Sequence, residues 1–425
     1  MTTRKARPMR NTHRSGAVLA TASIAVLLVT GCTRGETAGG PGSDGASPGI
    51  TDDSVSIGIS SPLSGPTAGP GSCTVAGLAA YIGAKNADGG FEFGDGKTRQ
   101  VDFTYLDDVY DPARAVSNFR QLVNDGIFAY VGALGTPTNA AVMPIAEEEQ
   151  VPQVLLTTGA RTFSEDQEAH PWTEGLLPTY ATEGEAFGTL LADADQPLTV
   201  ATLAQNDDFG ESYLDGFNAA IEGSQVQVVA SATYEPTDTT LDSQVTELAA
   251  SGADVLLSAV SVTPLQVGVL TKAQSLGWLP RIFLPSNTST PGTILQPGGA
   301  GAYPAVYTPS FSKNPNSPAF AEDEDVQAYN AAFEQYGSQI ATTYTPHCTW
   351  GYTEGAVLDQ VFQGMEEPTR DSFMESLRSI SDYQAPMLLD GITVDTTSST
   401  EAGISTVQLV RYDAATGGYG PVDGY

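Results

Sequence analysis

From Val55 to about Ser286, apolar runs of four to eight residues alternate with stretches whose apolar positions recur every three to four residues. "VSIGIS" (Val55 to Ser60) has the length and β-branched content of a buried strand, and "CTVAGLAAYIGAKNADGG" that of a helix closed by glycines. "VDFTYLDD" is a second strand and "DPARAVSNFRQLVNDG" a second helix. In this helix Asp111 suits the N-cap, and Pro112 the first turn, where its missing N–H is harmless. Val116, Phe119, Leu122 and Val123 share one face, and Gly126 ends it. The alternation runs on through "FAYVGA", "TNAAVMPIAEEEQ" and "VPQVLLTT", and a second series begins near Thr182 and reaches "RIFLPS". Strand–helix–strand repetition predicts an α/β fold of two doubly wound parallel sheets covered by helices on both faces. In such sheets ligands sit beyond the carboxyl ends of the strands.

The first fifty residues break this rhythm. Five basic and no acidic residues precede an apolar run from Gly16 to Val29, too short to span a bilayer, which needs about 20. This is the pattern of an export signal. The run closes on "VTGC" (Val29 to Cys32), which resembles the lipobox of bacterial lipoproteins. That resemblance implies cleavage after residue 31 and acylation of Cys32; an ordinary cleaved signal or an anchor helix are the alternatives. Residues 33 to 52 are poor in apolar side chains and form a Gly/Ser/Pro tether from Cys32 to the body. "GASPG" within it matches a hydrolase Gly-x-Ser-x-Gly pattern but lacks the strand and helix that motif needs.

Charge narrows the partners. The chain has 18 basic and 50 acidic residues; without the five basic residues of the leader its net charge is −37. Such a chain is repelled by phosphate backbones, which excludes nucleic acid as an expected partner. Only the N-terminal lipid is expected to touch the membrane. Beyond Cys32 two cysteines remain, Cys73 and Cys348, an even pair in an exported chain. Sequence leaves open whether they bond or stay as two buried thiols.

No catalytic pattern emerges. His170 and His347 lie outside any helical metal motif. "GDGKT" (Gly94 to Thr98) lacks the first glycine of a phosphate-binding loop and precedes a strand, so it reads as a hairpin tip. "AEDEDV" lacks the glycine and spacing of a calcium loop and reads as the solvated start of a helix. The expectation is a non-enzyme without metal or cofactor.

"VSIGISSPLSGPTAGPG", "KNADGG", "LDDVYDPARAV", "VGALGTPTNAAVMPIAEEEQVP" and "TTGA" together resemble the type I periplasmic solute-binding proteins, in particular the branched-chain amino-acid receptors of ABC transporters and their relatives. The resemblance implies two lobes joined by three crossovers: residues 53–172 and 307–389 in lobe 1, 173–306 and 390–425 in lobe 2. Cys73 and Cys348 then share lobe 1, which favours a disulfide. The function implied is that of a monomeric, lipid-anchored receptor on the outer face of the membrane, handing a small polar solute to ABC permease subunits. A ligand-presenting partner of a sensor kinase is the alternative.

Ligand contacts follow residue by residue from the same resemblance. Thr136 stands where the family offers a hydroxyl to a ligand carboxylate, with Thr138 on the next turn; helix capping is the plain alternative for Thr136. Thr157 and Gly159 match positions that hold an amino-acid head group, Gly159 in place of a hydroxyl that Thr158 could supply. Phe209 matches an aromatic lid, and Ser261 or Thr263 a position often aromatic. Amino-acid receptors carry a carboxylate just after the strand "IFLP", where this chain has Ser286 and Asn287. A buried ammonium without a counter-charge is costly, so neutral amides, urea-like solutes and organic acids gain weight. Arg161 could pair with an acidic ligand, and Pro70 replaces a frequent aromatic wall.

Overall fold

The computed structural model describes residues 45–194 and 196–422; the signal segment and Cys32 lie outside them. The chain runs β1 (Ser54–Ser61), α1 (Ala68–Ala87), β2 (Phe91–Glu92), β3 (Thr98–Asp107), α2 (Pro112–Asn124), β4 (Ala129–Val131), α3 (Thr136–Glu149), β5 (Gln153–Leu156) and β6 (Thr173–Gly175). A second series follows: α4 (Tyr180–Ala192), β7 (Leu198–Gln205), α5 (Asp208–Ile221), β8 (Val226–Tyr234), α6 (Asp242–Ala250), β9 (Val255–Ala259), α7 (Thr263–Ser275), β10 (Arg281–Phe283) and β11 (Val306–Ser310). Then come α8 (Glu324–Ala332), α9 (Pro346–Gly364), α10 (Arg370–Leu377), β12 (Gln408–Asp413) and β13 (Gly418–Pro421).

These strands form two sheets, in the orders β2-β3-β1-β4-β5-β6 and β13-β12-β11-β10-β9-β7-β8. From β3 to β6, and from β8 to β11, every pairing is parallel. β2, β12 and β13 pair antiparallel at the edges. The local signals act as their chemistry dictates. Asp111 caps α2 by accepting from the Arg114 N–H at 2.9 Å, and α2 buries Ala115, Phe119 and Leu122 while Val116 and Val123 pack partly buried beside them. "GDGKT" is the tip of the β2–β3 hairpin, closed by Phe93 N–H to the Lys97 carbonyl at 2.9 Å with Gly96 at φ 79°.

Each sheet is covered by a helix pair that crosses on glycine. An added Cβ at Gly77 of α1 would stand 2.0 Å from the Cys348 carbonyl oxygen of α9, and at Gly351 2.1 Å from that of Thr74. The α4–α5 pair repeats the device: a Cβ at Gly216 would stand 1.9 Å from the Ala181 carbonyl oxygen. Backbones this close leave no room for a side chain. Where α1 meets α9, Cys73 and Cys348 are joined by a disulfide.

The chain passes between the sheets three times. It leaves the first after β6 and leaves the second after β11, where Ser312 forms a bridge with Leu388. Val394 and Ile404 still pack in the core of the first sheet, Ile404 N–H donates to the Leu176 carbonyl at 3.1 Å, and β12 then rejoins the second. β6 is bound into the first sheet and β11 into the second, while Ile392, Val394 and Ile404 pack in the first core. Among the described residues no helix is long and apolar enough to cross a membrane, and no group of three or more metal-ligating side chains occurs.

Candidate functional site

The loops after the parallel strands of both sheets enclose a cavity of about 120 Å³. From the first sheet come Thr67 and Pro70 after β1, Tyr110 after β3, Leu134 to Thr136 after β4 and Thr157 after β5. Asp107 and Asp108 shape the Tyr110 turn, accepting from the N–H groups of Val109 and Tyr110 at 2.9 and 2.8 Å. From the second come Glu183 of α4, Phe209 at the start of α5, Ser261 after β9, and Ser286 and Asn287 after β10. The start of α4, the segment after β11, the start of α9 with the residues before it, and β13 close it with Tyr180, Phe311, Tyr344, His347, Trp350 and Tyr419.

Of the positions expected from sequence, Thr136, Thr157, Phe209, Ser261, Ser286 and Asn287 line this cavity. Thr138, Thr158 and Gly159 are not in its wall. The Thr138 hydroxyl is turned back onto its own helix, donating toward the Leu134 and Gly135 carbonyls at 2.9 and 3.1 Å. Thr158 stands behind Thr136, their hydroxyls 2.8 Å apart. Gly159 serves the chain crossing: its carbonyl accepts from Tyr180 N–H at 2.8 Å, and a Cβ there would meet the Pro178 carbonyl oxygen at 2.3 Å. Thr136 caps nothing, because the N-cap of α3 is Gly135. Arg161 stays outside, bonded to Glu165 at 2.6 Å. Neither lysine nor arginine lines the cavity.

Sequence reasoning placed no carboxyl here, and the fold supplies one. Glu183 accepts from Ser286 Oγ at 2.6 Å and Ser286 N–H at 3.1 Å, and from the Tyr213 hydroxyl. It is 1% exposed, and burial pushes its carboxyl up to about 7 against the pull of those bonds. The signal was present as a lone acid on the buried face of α4, one turn from Tyr180 and from Phe187. Of the aromatic wall residues only Phe209 was expected; Tyr180 and Trp350 stand near the starts of α4 and α9, and Tyr110, Phe311 and Tyr344 lie between elements. Phe209 stacks edge-on against Tyr180 with centroids 4.6 Å apart.

The remaining polar groups are mostly tied to the protein. Ser261 Oγ donates to Gln205 Oε1 at 2.5 Å, and its N–H donates to the Tyr234 hydroxyl at 2.9 Å. Burial lowers the His347 imidazole to about 4. Among the described residues, three polar atoms of wall residues, Thr67 Oγ1, Asn287 Oδ1 and Thr290 Oγ1, are buried without a hydrogen-bond partner.

Two α/β sheets with a cavity at their facing strand ends define a type I periplasmic binding protein. Residues 54–418 match the model of the periplasmic binding protein family, to which this chain belongs. It is similar to Leu/Ile/Val-binding protein homolog 3 of Brucella melitensis, 27% identical over 205 residues, 48% of this chain and 53% of that protein. The match thus spans about half the length of that curated relative. Among solved structures, the fatty acid ABC transporter substrate-binding protein from Thermomonospora curvata superposes with a TM-score of 0.75 at 20% identity, covering 90% of this chain and 95% of that one. A substrate-binding periplasmic protein from Ralstonia solanacearum gives 0.73 at 21%, covering 84% and 97%. The named relatives are binding proteins, not enzymes.

Proposed function

We propose that this protein is the solute receptor of an ABC importer, held at the outer face of the membrane through Cys32. In this reading the segments up to β6 and from about 311 to 404 form one lobe, the rest the other, and solute draws the two together. The solute has an apolar body, housed by Tyr110, Tyr180, Phe209, Phe311 and Trp350, and a head group rich in N–H donors. One observation carries the choice of head group: Glu183 and Ser286 present a carboxyl to a cavity that no lysine or arginine lines. An amine or amide relieves that carboxyl, whereas a carboxylate gains no counter-charge there.

A thermal-shift screen tests this with matched amines, amides and acids, isobutylamine, isobutyramide and isobutyrate among them. At 100 times its dissociation constant a ligand adds about 2.7 kcal/mol of stability, roughly 5–10 °C at about 2–4 °C per kcal/mol. Amines or amides are expected to give that shift at pH 8. A shift from acids alone would refute the head-group reading, and closure is checked by a fall in the radius of gyration with the same solute.

A further inference from the structure

A second buried carboxyl stands behind the cavity wall. Glu354 of α9 is 0% exposed, and its Oε1 lies 2.8 Å from the hydroxyl of Thr157, which lines the cavity. The same hydroxyl lies 3.1 Å from the Gly132 carbonyl oxygen. The groups that meet Glu354 are Thr157 beyond β5, Gly132 beyond β4 and Trp350 one turn away on α9, none of them titratable near neutral pH. Contact with Gly132 is close: a Cβ there would stand 2.7 Å from Glu354 Oε2. The Trp350 indole N–H pulls the carboxyl down, against burial, but lies outside hydrogen-bond geometry, and among the described residues neither Trp350 Nε1 nor Glu354 Oε2 has a hydrogen-bond partner.

The Thr157 hydroxyl has one hydrogen and two lone pairs, yet both neighbouring oxygens would be acceptors if Glu354 were ionised. One of them would then go unsatisfied in a buried site, at a cost of about 1–3 kcal/mol. A proton on Glu354 removes the conflict. We propose that Glu354 is a neutral carboxylic acid that donates to Thr157 Oγ1, so that Thr157 donates to the Gly132 carbonyl and can show the cavity only a lone pair. Burial, which raises Glu354 well above the ordinary carboxyl range, acts in the same direction. Glu354 is thus a positioning residue: it makes Thr157 an acceptor-only contact, suited to a solute N–H or O–H and closed to a solute carboxylate. This deepens the solute reading above and rests on it.

Infrared difference spectra of the full chain test the protonation without any solute. At pH 9 the wild type is expected to show the carbonyl band of a protonated carboxylic acid that Glu354→Gln lacks; no difference between the two proteins in that region overturns the proposal. The solute-facing half uses isobutylamine as probe. Thr157→Val is expected to weaken its binding about tenfold, the loss of about one hydrogen bond, while Thr157→Ser leaves it within about twofold. Equal binding by wild type and Thr157→Val overturns that half. If isobutylamine does not bind the wild type at all, the amine reading of the cavity falls, and the infrared comparison still decides the state of Glu354.

Discussion

At Glu183 two opposed effects can be weighed. Burial favours the protonated form, while Ser286 and Tyr213 favour the ionised one, and burial wins by lifting the group from 4.5 to about 7. A difference of that size corresponds to roughly 3 kcal/mol. A carboxyl raised on folding binds its proton more tightly in the folded chain, so its contribution declines as pH rises from about 4.5 through 7 and is level beyond. Melting temperature measured from pH 5 to 8 is therefore expected to fall by several degrees more for the wild type than for Glu183→Gln; parallel curves would remove Glu183 from the account. Ser286→Asp sets a second carboxyl against the first. Its melting temperature is expected to drop steeply between pH 6 and 8, beyond the wild-type decline, because both groups cannot ionise side by side. Ser286 and Asn287 were expected at the site from the family resemblance, and both line the cavity. Glu183 was not, because it is brought to Ser286 from 103 residues away.

Elements were more legible than contacts. The period of α2, its Asp111 cap and its stop at Gly126 are local properties, and the helix obeys them. The turn glycine at Gly96 was likewise readable. Gly77, Gly184 and Gly216 were not: in a helical pattern they look like weak points, whereas their partners are carbonyl oxygens of another helix, α9 for Gly77, α5 for Gly184 and α4 for Gly216. Gly216→Ala puts a methyl 1.9 Å from the Ala181 oxygen, and overpacking of this kind costs typically 1–3 kcal/mol. Urea unfolding is expected to show at least that loss at unchanged slope. An alanine there that leaves the midpoint in place would mean that α4 and α5 can part freely. β6 escaped prediction because three residues between turns carry no period.

For the molecule as a whole, the two-series rhythm and the position of the cavity followed from the strand–helix alternation, since parallel sheets collect their loops at one end. The order of crossings did not, because β11, α9 and β12 are assigned by packing partners rather than by their own sequences. The Cys73–Cys348 bond belongs to this scale. Thiol titration of the denatured protein is expected to find neither cysteine free, and reduction to lower stability by roughly 2–5 kcal/mol, as for disulfides that close long loops. A titration that finds both thiols would deny the bond. The bond has a further meaning for a protein exposed to a hostile exterior. Its two ends are 275 residues apart, and the whole second sheet up to β11 is strung between them. A protease that severs any one loop in that span produces a nick, not two pieces: both halves stay covalently joined through Cys73 and Cys348. A piece of the chain comes free only after two cuts within that span or one outside it.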